Sequence, residues 1–154
     1  MDLINRTPKV LAISSGGGHW IQLMSIKSAF TDLDVVYACV NSSYQTDVGD
    51  AEFHVIPNAN FSQKLSLVRA AFFAFILVIK TKPDVVVSTG AAPGYIVASI
   101  AKLRGARIVW LDSIANADEM SMSGRNAGIF SDLWLTQCPH LARRKGPHYI
   151  GSIL

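Results

Sequence analysis

Charge is scarce in this chain: Asp, Glu, Lys and Arg make up 16% of its 154 residues, while half are apolar. A disordered chain needs the opposite balance, so that class is excluded. Cysteine is scarcer still. Cys39 and Cys138 stand far apart with no CxxC or Cys/His spacing, which excludes a zinc site and a disulfide framework. With no leader ahead of the first strand, both are expected to be reduced, cytosolic thiols. The bases form no stripe longer than Arg143-Arg144-Lys145 and no motif interleaved with aromatics, so nucleic acid is not an expected partner at a net charge of +3. Long apolar runs are missing too. Residues 70–79 are ten apolar residues closed by Arg69 and Lys80, short of the about 20 that cross a bilayer.

What is present is a regular alternation. Short apolar runs at 9–14, 34–40, 51–56, 83–88, 107–111, 133–136 and 149–154 read as strands, several of them β-branched throughout as strands buried on both faces should be. Helical stretches at 19–30, 62–81, 93–103 and 124–130 lie between them. Strands alternating with helices predict an α/β fold: a Rossmann-like domain over 1–154 with a mainly parallel sheet covered on both faces. A mean hydropathy of +0.30 further predicts apolar surface that faces something other than the chain's own core. Residues 62–81 are where it is expected. They read either as a helix buried on the sheet or as one that also meets a membrane interface, with Arg69, Phe72, Phe73 and Lys80 facing it.

Three segments fall at the carboxyl ends of strands, the edge where such sheets bind ligands. The first is Ser14-Ser15-Gly16-Gly17-Gly18-His19. Its glycines permit close approach of a ligand, and the following helix offers free N–H groups to an anion. A Walker loop is excluded because no Gly-Lys-Ser/Thr follows. A dinucleotide fingerprint is excluded because Ile21 holds the third glycine's place and no acid ends the second strand. A tight turn without a ligand remains open. His19, at the head of the helix, is the candidate catalytic residue; a capping or surface histidine is the plain alternative. The second segment, Ser88-Thr89-Gly90-Ala91-Ala92-Pro93-Gly94, opens another helix, and two open helix N-termini on neighbouring strands would suit a diphosphate. The third runs from Asp112 and Ser113 to Ser123-Gly124-Arg125. Adjacent Asp118 and Glu119 point in different directions on any regular backbone, so no metal site is expected.

In this order the three segments resemble the Alg-fourteen-like oligosaccharide-biosynthesis family. The likeness rests on the glycine–histidine turn, on Lys82-Pro83-Asp84-Val85-Val86-Val87-Ser88-Thr89-Gly90, and on Asp112-Ser113-Ile114. It rests most on Glu119-Met120-Ser121-Met122-Ser123-Gly124-Arg125 followed by Ser131-Asp132, and it extends to the closing Tyr149-Ile150-Gly151-Ser152-Ile153-Leu154. The resemblance implies the acceptor-binding, membrane-recruiting half of a two-component GT-B glycosyltransferase, equivalent to the N-terminal half of a one-chain enzyme. Its partners would be a donor-binding catalytic subunit, a polyprenyl-diphosphate-linked sugar and an anionic membrane surface, at the cytoplasmic face. Bacterial relatives serve exopolysaccharide and capsule assembly. No cofactor or metal is implied. By that resemblance His19 would be the base, and Gly16, Gly17, Gly18, Gly90, Ala92, Gly94, Asp112, Ser113, Ser123, Gly124 and Arg125 would surround the acceptor or its phosphates. The apolar ending, with Tyr149, Ile150, Ile153 and Leu154, is expected to meet the donor subunit. A free-standing nucleotide-binding domain and a non-catalytic membrane scaffold remain the alternatives.

Overall fold

The computed structural model describes residues 6–153. Six strands, β1 (Lys9–Ile13), β2 (Asp34–Cys39), β3 (Glu52–Val55), β4 (Val85–Ser88), β5 (Arg107–Leu111) and β6 (Leu133–Leu135), form one sheet in the order β3-β2-β1-β4-β5-β6. Every pairing is parallel. This is the strand order of the doubly wound nucleotide-binding fold, in which the chain turns back between β1 and β4.

Alternation along β1 shows why the sheet needs two covers. Leu11 and Ile13 join a core with Ala74, Leu77 and Val78 of α2 (Lys64–Thr81) and Val97, Ala98 and Ala101 of α3 (Ala91–Leu103). Val10 and Ala12 point the other way, into a core with Trp20 and Leu23 of α1 (Gly18–Ser25), Phe30 and Val48. Successive side chains of a strand leave opposite faces, so an all-apolar strand is stable only between two layers. A short helix, α4 (Met122–Ala127), packs beside α3.

Several expectations from sequence require correction. No seventh strand forms over the described part of 149–154. His148 makes one parallel bridge to Leu135 and the chain then leaves the ladder. Gly151 at φ 136° departs from a strand's backbone, and the Ile153 amide donates to the Gln137 side chain instead of to a ladder. The first helix stops at Ser25 and tightens into a 3₁₀ turn, Lys27–Phe30. Between β2 and β3, residues 42–48 form a 3₁₀ segment whose start is capped by the Asn41 side chain, which accepts from the Ser43 amide.

Helix α2 is both core and surface. Ala70, Ala74, Leu77, Val78 and Thr81 bury one face. Leu65 (87% exposed), Val68, Phe72 (62%), Phe75 and Ile76 form a second apolar stripe on the outside. The spacings of three and four residues place both stripes on their own sides of one helix. Arg69, which lies 6.0 Å over the Phe73 ring, and Lys80 are exposed on the same outer side as Phe72 and Phe73. No helix of the described residues is long and apolar enough to cross a membrane.

Candidate functional site at the carboxyl edge of the sheet

The turns after β1 and β4 meet at the point where the strand order reverses. His19 joins them. Its Nδ1 lies 2.9 Å from the Thr89 carbonyl oxygen, and the Thr89 hydroxyl donates back to the His19 carbonyl at 2.7 Å. A carbonyl oxygen only accepts, so in the neutral ring Nδ1 carries the proton and Nε2 keeps its lone pair. The ring packs against Gly90, where a Cβ would come within 2.9 Å of it, and Gly90 sits at φ +125°. Thus Gly90 serves His19 twice, by its conformation and by its bareness. Ala91, at φ 66°, is a left-handed residue without glycine's freedom, a local strain at the mouth of α3.

The glycines of the first turn differ among themselves. Gly17 has φ +59° and its amide donates to the Tyr44 hydroxyl at 2.9 Å, while Gly16 lies under the Tyr44 ring. Tyr44 in turn stacks on Trp20 with centroids 5.1 Å apart. Gly18 opens α1 with nothing within 4 Å of where a Cβ would stand. No side chain caps the N-terminus of α1 or of α3, so their first amides lack a capping partner; in α3 these are Ala91 and Ala92, since Pro93 carries no N–H.

Other residues singled out from sequence take structural positions. Ala92 and Gly94 are buried, and a Cβ on Gly94 would lie 2.2 Å from Ser88 Oγ, so this glycine seats α3 on β4. Asp112 is 2% exposed and turned inward. It accepts from the Ser121 amide at 2.9 Å, the Ser121 hydroxyl at 2.6 Å and the Trp110 indole at 3.3 Å. Ser121 Oγ then accepts from the Gly124 amide at 2.8 Å, and Gly124 has no room for a side chain against Asp112. Asp112 therefore anchors the start of α4. Ser123 is buried beside it. Arg125 is exposed and pairs with Glu119 at 3.2 Å.

Sequence reasoning missed two glutamines that tie this edge together. Gln22, fully inside, donates to Ser113 Oγ at 2.9 Å and accepts from the Ile114 amide and from Gln137 Nε2. Gln137 also donates to the Asp112 carbonyl, and its own oxygen accepts the Ile153 amide at 3.2 Å. One polar ladder thus joins α1, the turns after β5 and β6, and the tail. A signal was present: Gln22 sits between Trp20 and Leu23, where the pattern calls for an apolar residue. In the tail, Tyr149 and Ile150 (78% exposed) face outward while Ile153 is held by Gln137; Leu154 lies outside the described residues. Burial pushes the Cys39 thiol up from its ordinary value, the setting of an inert thiol. No three His, Cys, Asp or Glu side chains converge among the described residues.

The family model described as "Oligosaccharide biosynthesis protein Alg14 like" matches residues 55–153. The chain belongs to that family. Two relatives named UDP-N-acetylglucosamine transferase subunit ALG14 are similar to it. The one from Eremothecium gossypii is 36% identical over 91 residues, covering 51% of this chain and 41% of the relative. The one from Homo sapiens is 25% identical, covering 94% of this chain and 82% of the relative. The fold resembles MurG from Acinetobacter baumannii, with a TM-score of 0.73 at 11% identity over 94% of this chain and 46% of that one. It also resembles UDP-N-acetylglucosamine 2-epimerase from Rickettsia bellii, with a TM-score of 0.67 at 20% identity over 88% of this chain and 40% of the epimerase. The chain thus spans under half the length of the Eremothecium relative and of both solved proteins. The likeness to these solved proteins is one of fold: a Rossmann-like domain with a parallel sheet.

Proposed function

We propose that this Alg14-like protein is the acceptor-binding subunit of a two-component glycosyltransferase, peripherally attached to the cytoplasmic face of a membrane. It would present a polyprenyl-diphosphate-linked sugar to a donor-loaded partner in polysaccharide or lipid-linked oligosaccharide assembly. The observation that carries the reading is His19, fixed between two uncapped helix N-termini with Nε2 left as its basic atom. The diphosphate would lie on the amides opening α1 and α3. His19 Nε2 would take the proton of the acceptor hydroxyl as its oxygen bonds to the anomeric carbon of the sugar. The bond from that carbon to the UDP oxygen breaks, and UDP leaves with the electron pair. Asp112, Ser113, Gly94 and Gly124 would build the site's walls without touching the ligand. Support for the donor class comes from the relatives' names, so UDP-N-acetylglucosamine is the first donor to test.

The test is reconstitution with the co-purified partner. The chain alone is expected to transfer no sugar and to bind UDP weakly. Replacing His19 with Ala is expected to lower turnover of the pair by about 10²–10⁴-fold with the complex intact. Full activity in that variant would reduce the chain to a scaffold, and micromolar UDP binding by the chain alone would overturn the half-enzyme reading.

Attachment to the membrane is supported by the outer stripe of α2 with Lys64, Arg69, Lys80 and Lys82 around it. Flotation should recover the protein on vesicles containing phosphatidylglycerol more than on phosphatidylcholine alone, less so at high salt. Phe72→Ser with Phe75→Ser should abolish recovery, and unchanged recovery would place the contact elsewhere.

A further inference from the structure

The opposite edge of the sheet carries a second feature with no place in the transfer reading. Where β1, β4 and β5 begin, a cleft of about 700 Å³ is lined by Arg6, Lys82, Asp84, Arg104, Gly105 and Arg107. The acid within it is already engaged: Asp84 pairs with Arg6 at 2.5 Å and accepts the Lys9 amide at 2.8 Å. The Asp84 carbonyl accepts the Arg107 amide at 2.9 Å, which ties the floor of the cleft together. Asp132, which the Arg107 charge reaches, is held by Lys102 through both oxygens at 2.8 Å. Among the described residues no carboxylate lies within ion-pair distance of Lys82, Arg104 or Arg107.

Two of these cations have a local reason to be there. Lys82 and Arg104 stand at the C-caps of α2 and α3, where the exposed carbonyls attract positive charge. Arg107 starts a strand and has no such reason. Three cations around one open cleft repel one another, and an anion entering it would relieve all three.

The geometry points to an anion site here, for a phosphate or diphosphate group, either free or on a lipid headgroup. The headgroup source has a geometric argument. Lys82 ends the helix whose outer stripe faces away from the core, and its 18 residues measure about 27 Å end to end. A helix lying in the plane of a bilayer would bring this cleft to the headgroups at one end while the glycine turns stay at the other. The site shares no residue with His19 and the glycine turns; only its headgroup source rests on the membrane reading, through Lys82 at the end of α2.

Titrating the full chain with pyrophosphate while recording amide NMR signals tests it. Saturable shifts are expected at Lys82, Asp84 and 104–107, as a set separate from any at 16–19. Lys82→Ala, Arg104→Ala and Arg107→Ala together should weaken the first set about tenfold, equal to roughly 1.4 kcal/mol, and leave any second set unchanged. Should that variant fail to fold, Arg104→Gln alone, at an exposed position, is expected to weaken binding about threefold, on the order of 0.7 kcal/mol. Phosphatidylglycerol vesicles that displace pyrophosphate from the cleft identify the lipid headgroup as occupant; binding that vesicles leave untouched identifies the free anion. Absent shifts at these residues, or shifts undiminished in the variants, overturn the site.

Discussion

At the scale of single residues, the glycines separate by what surrounds them. Gly94 and Gly18 both lie in the first turn of a helix that follows a strand, yet one is walled in by Ser88 and the other faces open space. Gly94→Ala forces α3 off β4 and is expected to cost about 1–3 kcal/mol. Gly18→Ala should leave stability unchanged or raise it by about 0.5–1 kcal/mol, since alanine favours a helix. Activity of the reconstituted pair gives the second readout. If Gly18→Ala melts normally and transfers poorly, the open space is where the ligand comes; if it transfers normally, the turn is only a turn. Thr89 and Gly90 show how little of this was legible beforehand. Both stand in a glycine-rich segment that was legible as a site, but nothing in their spacing says that a histidine 70 positions earlier would bond to the Thr89 backbone. Contacts of that sequence separation follow from which strands become neighbours.

At the scale of elements, the strands were legible because parallel strands buried on both faces need continuous apolar runs. The helix ends were less so: Lys82 terminates α2 in a left-handed conformation at φ 46°, a choice no pattern of apolar residues encodes. The tail misled for a physical reason. Tyr149, Ile150 and Ile153 have strand-like composition, yet the Ile153 amide satisfies itself on a side chain rather than on β6. A different element, the connection between α4 and β6, is held by Asp132, which accepts from Lys102 and from the Ile108 amide at 2.7 Å. The Lys102 bond, followed by the Ile108 amide, holds the Asp132 carboxyl below its ordinary value of 3.8. The folded state therefore favours ionised Asp132. Its contribution is complete above pH 3.8 and is lost as pH falls from there through the lowered native value. Asp132→Asn should make the acid-side decline of urea-unfolding stability shallower as pH falls below 3.8. It should not abolish the decline, because Glu52 beside His54 is lowered in the same way. An unchanged slope would show that the Lys102 pairing is too exposed to matter.

At the scale of the whole molecule, the outer face of α2 and the protruding start of the tail both present apolar side chains to other molecules. The polar ladder through Gln22 and Gln137 divides the tail, holding Ile153 inward and leaving Tyr149 and Ile150 outside. A donor subunit that grips this end would do so through the outward pair. Ile150→Asp is therefore expected to weaken partner affinity about tenfold, close to 1.4 kcal/mol, with no change in melting temperature. Unchanged affinity would move the interface away from the tail.

The sheet contains no hairpin, and that governs how the chain can assemble. Its central pair, β1 with β4, joins Leu11 to Val86, about 75 positions apart, so a long loop must close before the middle of the sheet exists. Such topologies fold in milliseconds to seconds, slower than helical bundles of the same size. During synthesis β1, β2 and β3 emerge first, and α2 follows with apolar residues on both sides; Leu11, Ile13, Val36 and Ala38 can receive one of them, but α3, the helix it packs beside, is still to come. Until β4 emerges from the ribosome the nascent chain is therefore at its most adhesive, and a membrane or a chaperone nearby would meet α2 before the rest of its own fold does.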